Sequence, residues 1–304
     1  MDVSVVRSTA LGNGGAETTV QRRCQSGLLN LFFVAVLLSG ASHYARGAEA
    51  GASRVAAIEF TAPPGMFLVG EKLEYEVSYS IFSLGTVSVE ILDTVRRGGT
   101  VYYRAQAFMD SYSGVPFVSL HWIFYSEIDP HFYSHFFSGL DRKDTAKISY
   151  SDYSFDYPRG KVFVEKGITA NRELSAKKTD TISTTYQDGL SLFYYARGNV
   201  HTTGEVNVAT FVNESKVNTY IKFMHKAGSS EIDAIKYPVQ TIEFEGRADF
   251  VGIFGLTGGF RGWFSDDDAA VPIVAKMKVI LGSIRLELVR WHRDGWVPPR
   301  AVGE

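Results

Sequence analysis

From Phe67 onward, apolar and polar side chains alternate with a period close to two. Leu73, Tyr75, Val77 and Tyr79 alternate with Glu74, Glu76 and Ser78, and Val87, Val89 and Ile91 alternate with Thr86, Ser88 and Glu90. Successive side chains of an extended strand point to opposite faces, so each run predicts a strand with one buried face and one wet face. Ser83-Leu84-Gly85 separates the two runs, and Arg97-Gly98-Gly99-Thr100 predicts a hairpin turn into Val101–Ala105. Further strands are expected at 120–128, 132–137, 146–155, 161–165, 205–212, 218–225, 237–244, 259–264, 271–279 and 283–289. The fold class that follows is mainly β: one large curved antiparallel sheet, a half-barrel, with one or two helices packed on it.

One segment breaks the period of two. Between Asp188 and Gly198, the residues Leu190, Phe193, Tyr194 and Arg197 share a face at the helical period of 3.6. Asp188 can accept from the free amides of a helix start, and Gly198 is expected to end the helix in a left-handed turn. The Lys177-Lys178-Thr179-Asp180 stretch before it is expected to be an exposed connection.

The first 50 residues follow another pattern. Arg22 and Arg23 precede an apolar run, Leu28 to Leu38, and small residues lead to Ala48-Glu49-Ala50. A basic region, a short apolar core and small residues describe a secretory signal peptide, with cleavage expected after Ala50 or Ala48. The run is shorter than the roughly 20 residues a membrane span needs, so no stable anchor is expected once the leader is cut. The stretch before Arg22 is long for such a leader and reads as a mis-assigned start. The domain reading is therefore 1–50 leader, 51–65 linker, 66–290 one β-rich domain and 291–304 a tail.

Composition sharpens this in two ways. The chain has one cysteine, Cys24, which lies before the apolar run and not behind it. Lipid attachment is therefore not expected, and the mature chain would have no disulfide, thiolate nucleophile or thiolate metal site. Charge is balanced, with 31 Lys+Arg against 33 Asp+Glu. Without a basic excess to neutralise phosphates, nucleic acid is not an expected partner.

Catalytic and metal-binding chemistry finds little footing. His131 and His135 stand four apart in what reads as a strand, where that spacing spans about 13 Å and cannot grip one ion. Asp129 with His131 is the closer pair. Gly189-Leu190-Ser191-Leu192-Phe193 partly matches a hydrolase nucleophile elbow, yet lacks the second glycine and sits within the helix. Gly252, Gly255, Gly258 and Gly259 lack the lysine of a phosphate loop. Asp266-Asp267-Asp268 lacks the spaced ligands and closing glutamate of a calcium loop. No catalytic residue, metal or cofactor is assigned.

The aromatics say more. Phe117, Trp122, Phe124 and Tyr125 are followed by Phe132, Tyr133, Phe136 and Phe137. Neighbouring aromatics in one strand face opposite ways, so both faces of this region should meet apolar surroundings. A covered sheet core explains that pattern. An apolar cavity for a lipid-like ligand is the functional alternative, with Trp122, Phe124, Phe136 and Tyr194 as the candidate ligand-binding residues.

Four segments also carry a family resemblance. They are Val69-Gly70-Glu71-Lys72-Leu73-Glu74-Tyr75 with Leu84-Gly85-Thr86-Val87, the helix Asp188 to Arg197 with its Ser191-x-x-Tyr194-x-x-Arg197 spacing, Trp263 to Pro272, and Gly282 to Leu288. In that order they resemble the domain-of-unknown-function 3108 family over about residues 66 to 290. The resemblance implies an exported bacterial protein and supplies no catalytic residue. By analogy of fold it suggests a curved sheet like that of the periplasmic lipoprotein carriers.

The expectation is a periplasmic, non-enzymatic binding protein holding a lipid or another apolar ligand, with lipid or lipoprotein as partner. The alternative is a structural module that binds other envelope proteins through sheet edges. An uncharacterised hydrolase ranks third.

Overall fold

The computed structural model describes residues 61–116, 118–169, 173–248, 258–279 and 282–302. The leader and the start of the linker lie outside the described residues, as do Phe117, Gly252 and Gly255. The predicted alternation forms strands β1 (Lys72–Tyr79), β2 (Phe82–Arg97), β3 (Thr100–Ser111), β4 (His121–Ile128), β5 (Ser134–Asp141), β6 (Ser149–Asp156) and β7 (Lys161–Ile168). After β8 (Glu173–Thr181) and helix α1 (Gly189–Asn199) come β9 (Thr203–Val212), β10 (Ser215–Ser230), β11 (Val239–Ala248), β12 (Gly258–Ser265), β13 (Pro272–Lys278) and β14 (Ser283–His292). All fourteen join one antiparallel sheet in the order β8 to β1 followed by β14 to β9. Chain neighbours are therefore sheet neighbours, except where β1 pairs with β14.

The register sorts side chains onto two faces. Leu73 lies opposite Val89, Val89 opposite Ala107, and Ala107 opposite Phe124. This face is the inner one. Helix α1 lies against it, with Leu190, Tyr194 and Ala196 in one buried cluster with Val89, Ala107, Ile221 and Phe244. The outer face carries charge, for example Arg104 paired with Asp93.

The sheet curls until its flanks meet. Phe211 of β9 packs on Tyr153 and Phe155 of β6, although these strands lie far apart in the sheet order. The segment before α1 joins the flanks through the backbone. Ser134 N donates to Tyr186 O at 2.9 Å, while Gln187 N donates to Ala209 O and Phe211 N donates to Gln187 O. Lys216 Nζ donates to Thr181 O at 2.5 Å. Through these bonds the curled sheet closes at the end that carries the helix.

Five local expectations differ from what forms. Ser83-Leu84-Gly85 does not separate β1 from β2 but lies inside β2, paired with β1, and the turn falls at Ser80-Ile81. The segment Lys177–Asp180 lies inside the edge strand β8, pairing with β7, and its lysines face solvent. Strand β5 begins only at Ser134. Residues 129–133 form a turn in which Phe132 takes φ 68° and is fully buried. That conformation is unusual for a bulky side chain, and the aromatic core holds it: Phe132 packs on Tyr195 and Phe67. Gly198 does not end α1, which runs to Asn199 with Val200 still in right-handed helical geometry. Instead the glycine makes room, since a Cβ there would lie 2.4 Å from Phe132 Cζ. Lastly, residues 291–302 are part of the fold. Gln240 N donates to Pro299 O, and Ala301 N donates to Pro238 O.

Helix α1 begins as its sequence predicts. Asp188 Oδ1 accepts from Leu190 N at 2.7 Å and Ser191 N at 3.0 Å, and Asp188 N donates to Ser191 Oγ at 2.8 Å. This reciprocal capping satisfies amides that no earlier carbonyl can reach. Asp188 is buried, and its other oxygen accepts from Ser126 Oγ on β4 at 2.5 Å. The cap thus anchors the helix to the sheet as well as starting it.

Candidate functional site

Two regions compete for attention, one at each end of the curled sheet. At the helix end lies a buried ionic knot. Arg197, on the last turn of α1, makes a two-pronged ion pair with Glu71, with its Nη2 donating to Oε2 at 2.8 Å. Both side chains are essentially unexposed. Arg293 binds the same carboxylate from the C-terminal segment. Arg197 Nε donates to Ala269 O at 2.9 Å, and Tyr75 OH donates to Pro272 O at 3.1 Å. These bonds tie four segments together: the start of β1, the helix, the stretch Ala269–Pro272 and the C-terminal segment.

The acidic turn beside it is also committed internally. Asp267 Oδ1 accepts from Ser265 Oγ, Ala269 N and Ala270 N, and Oδ2 accepts from Trp296 Nε1. Asp129 behaves alike: Oδ1 accepts from His131 N and Tyr133 N, and Oδ2 lies 3.0 Å from His135 Nε2. Among the described residues, no group of three or more His, Cys, Asp or Glu is placed to hold a metal ion. Ser191 is fully buried and spends its hydroxyl on the helix cap.

The opposite end offers a different surface. There the inner face is apolar but only half-buried. Trp122, Met109 and Val87 stand side by side across β4, β3 and β2, and each keeps some exposure. Trp122 stacks on Phe124, with ring centroids 5.7 Å apart and planes within 7°. Phe124 in turn stacks on Phe137. A second row crosses β12, β13, β14, β1 and β2 as Phe260, Met277, Ile284, Tyr79 and Phe82. It starts on the inner face and ends in the open, because Phe82 is 64% exposed and its neighbour Ile81 is 87% exposed.

The four residues singled out from sequence do not form one site. Trp122 and Phe124 share the half-buried inner face. Tyr194 is on the inner side too, but it is buried against Phe67 and Phe193. Burial, with Glu71 close by, pushes its phenol well above the usual tyrosine range. Phe136 lies on the outer face, opposite Ser154 and Glu127. There it lines a shallow depression of about 290 Å³ with Asp152, Ser154, Phe163, Glu165 and Lys177. Burial raises the Asp152 carboxyl above its ordinary value. The alternation that makes these strands also separates Phe136 from its neighbour Phe137. Met109, Phe260 and Met277 also belong to these rows, and only the strand register shows which side chains stand beside them.

Residues 74–289 match the family described as protein of unknown function (DUF3108). The chain belongs to the DUF3108 family. No curated protein matches this DUF3108 chain. Among solved structures, a β-barrel-like protein of the DUF1849 domain family from Brucella abortus is similar, with 16% identity and a TM-score of 0.47. The likeness covers 74% of this chain and 97% of that one. A protein with a YmcC-like fold from Bacteroides fragilis has 9% identity and a TM-score of 0.32, covering 77% of this chain and 100% of that one. Likenesses of this size say nothing about a ligand. Among the described residues, no helix of the DUF3108 protein is long and apolar enough to cross a membrane.

Proposed function

We propose that this DUF3108 protein is an exported, non-enzymatic binding module of the bacterial cell envelope. It holds an apolar ligand, such as a lipid acyl chain, against the inner face at the end remote from the helix. One observation carries the reading: the stacked Trp122–Phe124 pair continues through Met109 and Val87 as an apolar inner surface left half-open. Partly exposed aromatic and thioether side chains on a concave face suit a flexible apolar ligand, because such contacts are non-directional and adaptable. The helix end offers no comparable surface, since α1 fills it.

The test is native mass spectrometry of the purified protein after incubation with extracted envelope phospholipids. Retained lipid is expected, and retention should fall in Trp122→Ser. Absence of any lipid-bound species would count decisively against the reading.

A second reading has one feature in its favour. Strand β8 is an edge of the sheet, with Leu174 49% exposed, and could pair with a strand from a partner protein. Its exposed Lys177 and Lys178 are the charges that keep natural edges from pairing, so this reading ranks below the first.

A further inference from the structure

The exposed tip of the β1–β2 hairpin has no partner within the described chain that would explain its composition. Ser80, with φ 54°, turns the chain so that Ile81 and Phe82 project at 87% and 64% exposure. Single exposed apolar residues are ordinary, but two adjacent ones at a hairpin tip are a sign of contact with something apolar. The tip is continuous with the inner face, because Phe82 lies opposite Tyr79 and Tyr79 opposite Ile284. Tyr79 is itself 37% exposed.

The charges at the same end are informative. Lys278 ends β13 and lies opposite Ser283, beside the strand that pairs with Tyr79. Lys143 and Lys147 sit in the loop joining β5 to β6 at this end. All three are exposed, and none makes an ion pair among the described residues. Of the carboxylates at this end, Asp110 is paired by His121 and Arg142 and Glu76 accepts from Ser83, whereas Asp141 and Asp144, on either side of Lys143, accept from backbone amides. The end therefore presents exposed apolar side chains together with lysines that carry no ion pair among the described residues.

We infer that this end docks on an anionic lipid bilayer, with Ile81 and Phe82 entering the interface and Lys143, Lys147 and Lys278 facing the phosphate headgroups. Apolar side chains at the acyl boundary and lysines at the headgroup level are the two contributions that hold a protein on such a surface. A protein partner would supply carboxylates for the lysines but would not favour headgroup charge over all else, so lipid composition discriminates between them. The docking goes beyond ligand holding: a bilayer could bind the tip even if the inner face takes no lipid.

The experiment uses the full chain with Cys24→Ser and Ile81→Cys, carrying an environment-sensitive fluorophore at position 81. The label reports the tip itself, whatever the leader contributes to binding. Vesicles of phosphatidylcholine alone are compared with vesicles containing phosphatidylglycerol. A blue shift is expected on the anionic vesicles, weakened by high salt because exposed charges are screened. In flotation assays Ile81→Ser with Phe82→Ser should weaken anionic-vesicle binding by about tenfold or more relative to the parent chain. Circular dichroism checks that these variants remain folded. An unshifted label on both vesicles overturns the inference, and so does a shift as large on phosphatidylcholine as on the anionic mixture. Lipid retention by mass spectrometry is scored separately, so failure of docking and failure of ligand holding are distinguishable.

Discussion

Arg197 and Glu71, 126 residues apart in the chain, meet in a two-pronged ion pair from which water is excluded. Arg293 completes the pair from the other end of the domain. Three of the segments that carry the family resemblance converge here: Glu71 and Tyr75 from the first, Tyr194 and Arg197 from the helix, and Ala269 and Pro272 from the late strand and turn. What these residues have in common is closure of one end of the sheet. A buried pair is costly to assemble but costlier to break, because the survivor loses charge compensation: Glu71 would keep only Arg293, and Arg197 would keep no carboxylate among the described residues.

Removing one member should therefore destabilise strongly. Arg197→Met is expected to lose about 3–5 kcal/mol. Arg197→Met combined with Glu71→Gln should recover part of that loss. Urea denaturation of the two single variants and the double variant measures the coupling; strictly additive losses would contradict a shared knot.

Gly198→Ala tests the approach of Phe132. On helix propensity alone the change would gain about 1 kcal/mol. A Cβ at this position would lie 2.4 Å from Phe132 Cζ, so the net effect expected is a loss of about 1–3 kcal/mol. Thermal melts of Gly198→Ala, alone and with Phe132→Leu, should show a smaller penalty in the second background.

Alkali should unfold the protein cooperatively. Burial raises the phenols of Tyr75, Tyr153, Tyr157 and Tyr194 above the ordinary value of 10.0. A group whose folded value is raised contributes stability that is present below the unfolded value and is lost as pH rises beyond it. Tyrosinate absorbance and loss of circular dichroism are expected to rise together above pH 10, the unfolded value. Ionisation of all sixteen tyrosines with the sheet intact would contradict this.

Asp188 gives the acidic counterpart. Burial raises its carboxyl above 3.8, against the hydrogen bonds from Ser126 and the helix amides. Its folded value is also raised, so the stability it contributes is complete below 3.8 and falls as pH climbs through the folded value. Asp188→Asn keeps an oxygen for the helix amides without the charge. Relative to the parent, it should gain stability from pH 4 to neutrality, whereas Asp188→Ala should lose about 0.5–2 kcal/mol throughout. Urea titrations across that range decide it.

The two faces of the aromatic strands make a paired prediction. Trp122→Ser and Phe136→Ser change neighbouring strands on opposite faces. Lipid retention should drop only for the inner position, Trp122. Equal loss in both variants would mean that the inner face is not the site.

Much of the architecture was readable along the chain. Alternation marked nearly every strand because a half-buried sheet demands it, and Asp188 marked the helix start because free amides need an acceptor. Strand β8 escaped because Lys177, Lys178 and Asp180 leave it without a buried face to announce. Gly198 misled because glycine permits two things, a left-handed turn and a close approach, and only the position of Phe132 decides which. Of the residues singled out along the chain, Trp122 and Phe124 share the half-open inner face, whereas Phe136 faces the other way.

Local periodicity and capping chemistry are properties of neighbours in the chain, and they determine most of the strands, the helix start and the mainly-β class. Which strands adjoin, which face is concave, and which apolar side chains stay half-open depend on register and curl. Those are decided by contacts between residues as distant as Glu71 and Arg197 or Tyr153 and Phe211, which no window along the sequence contains.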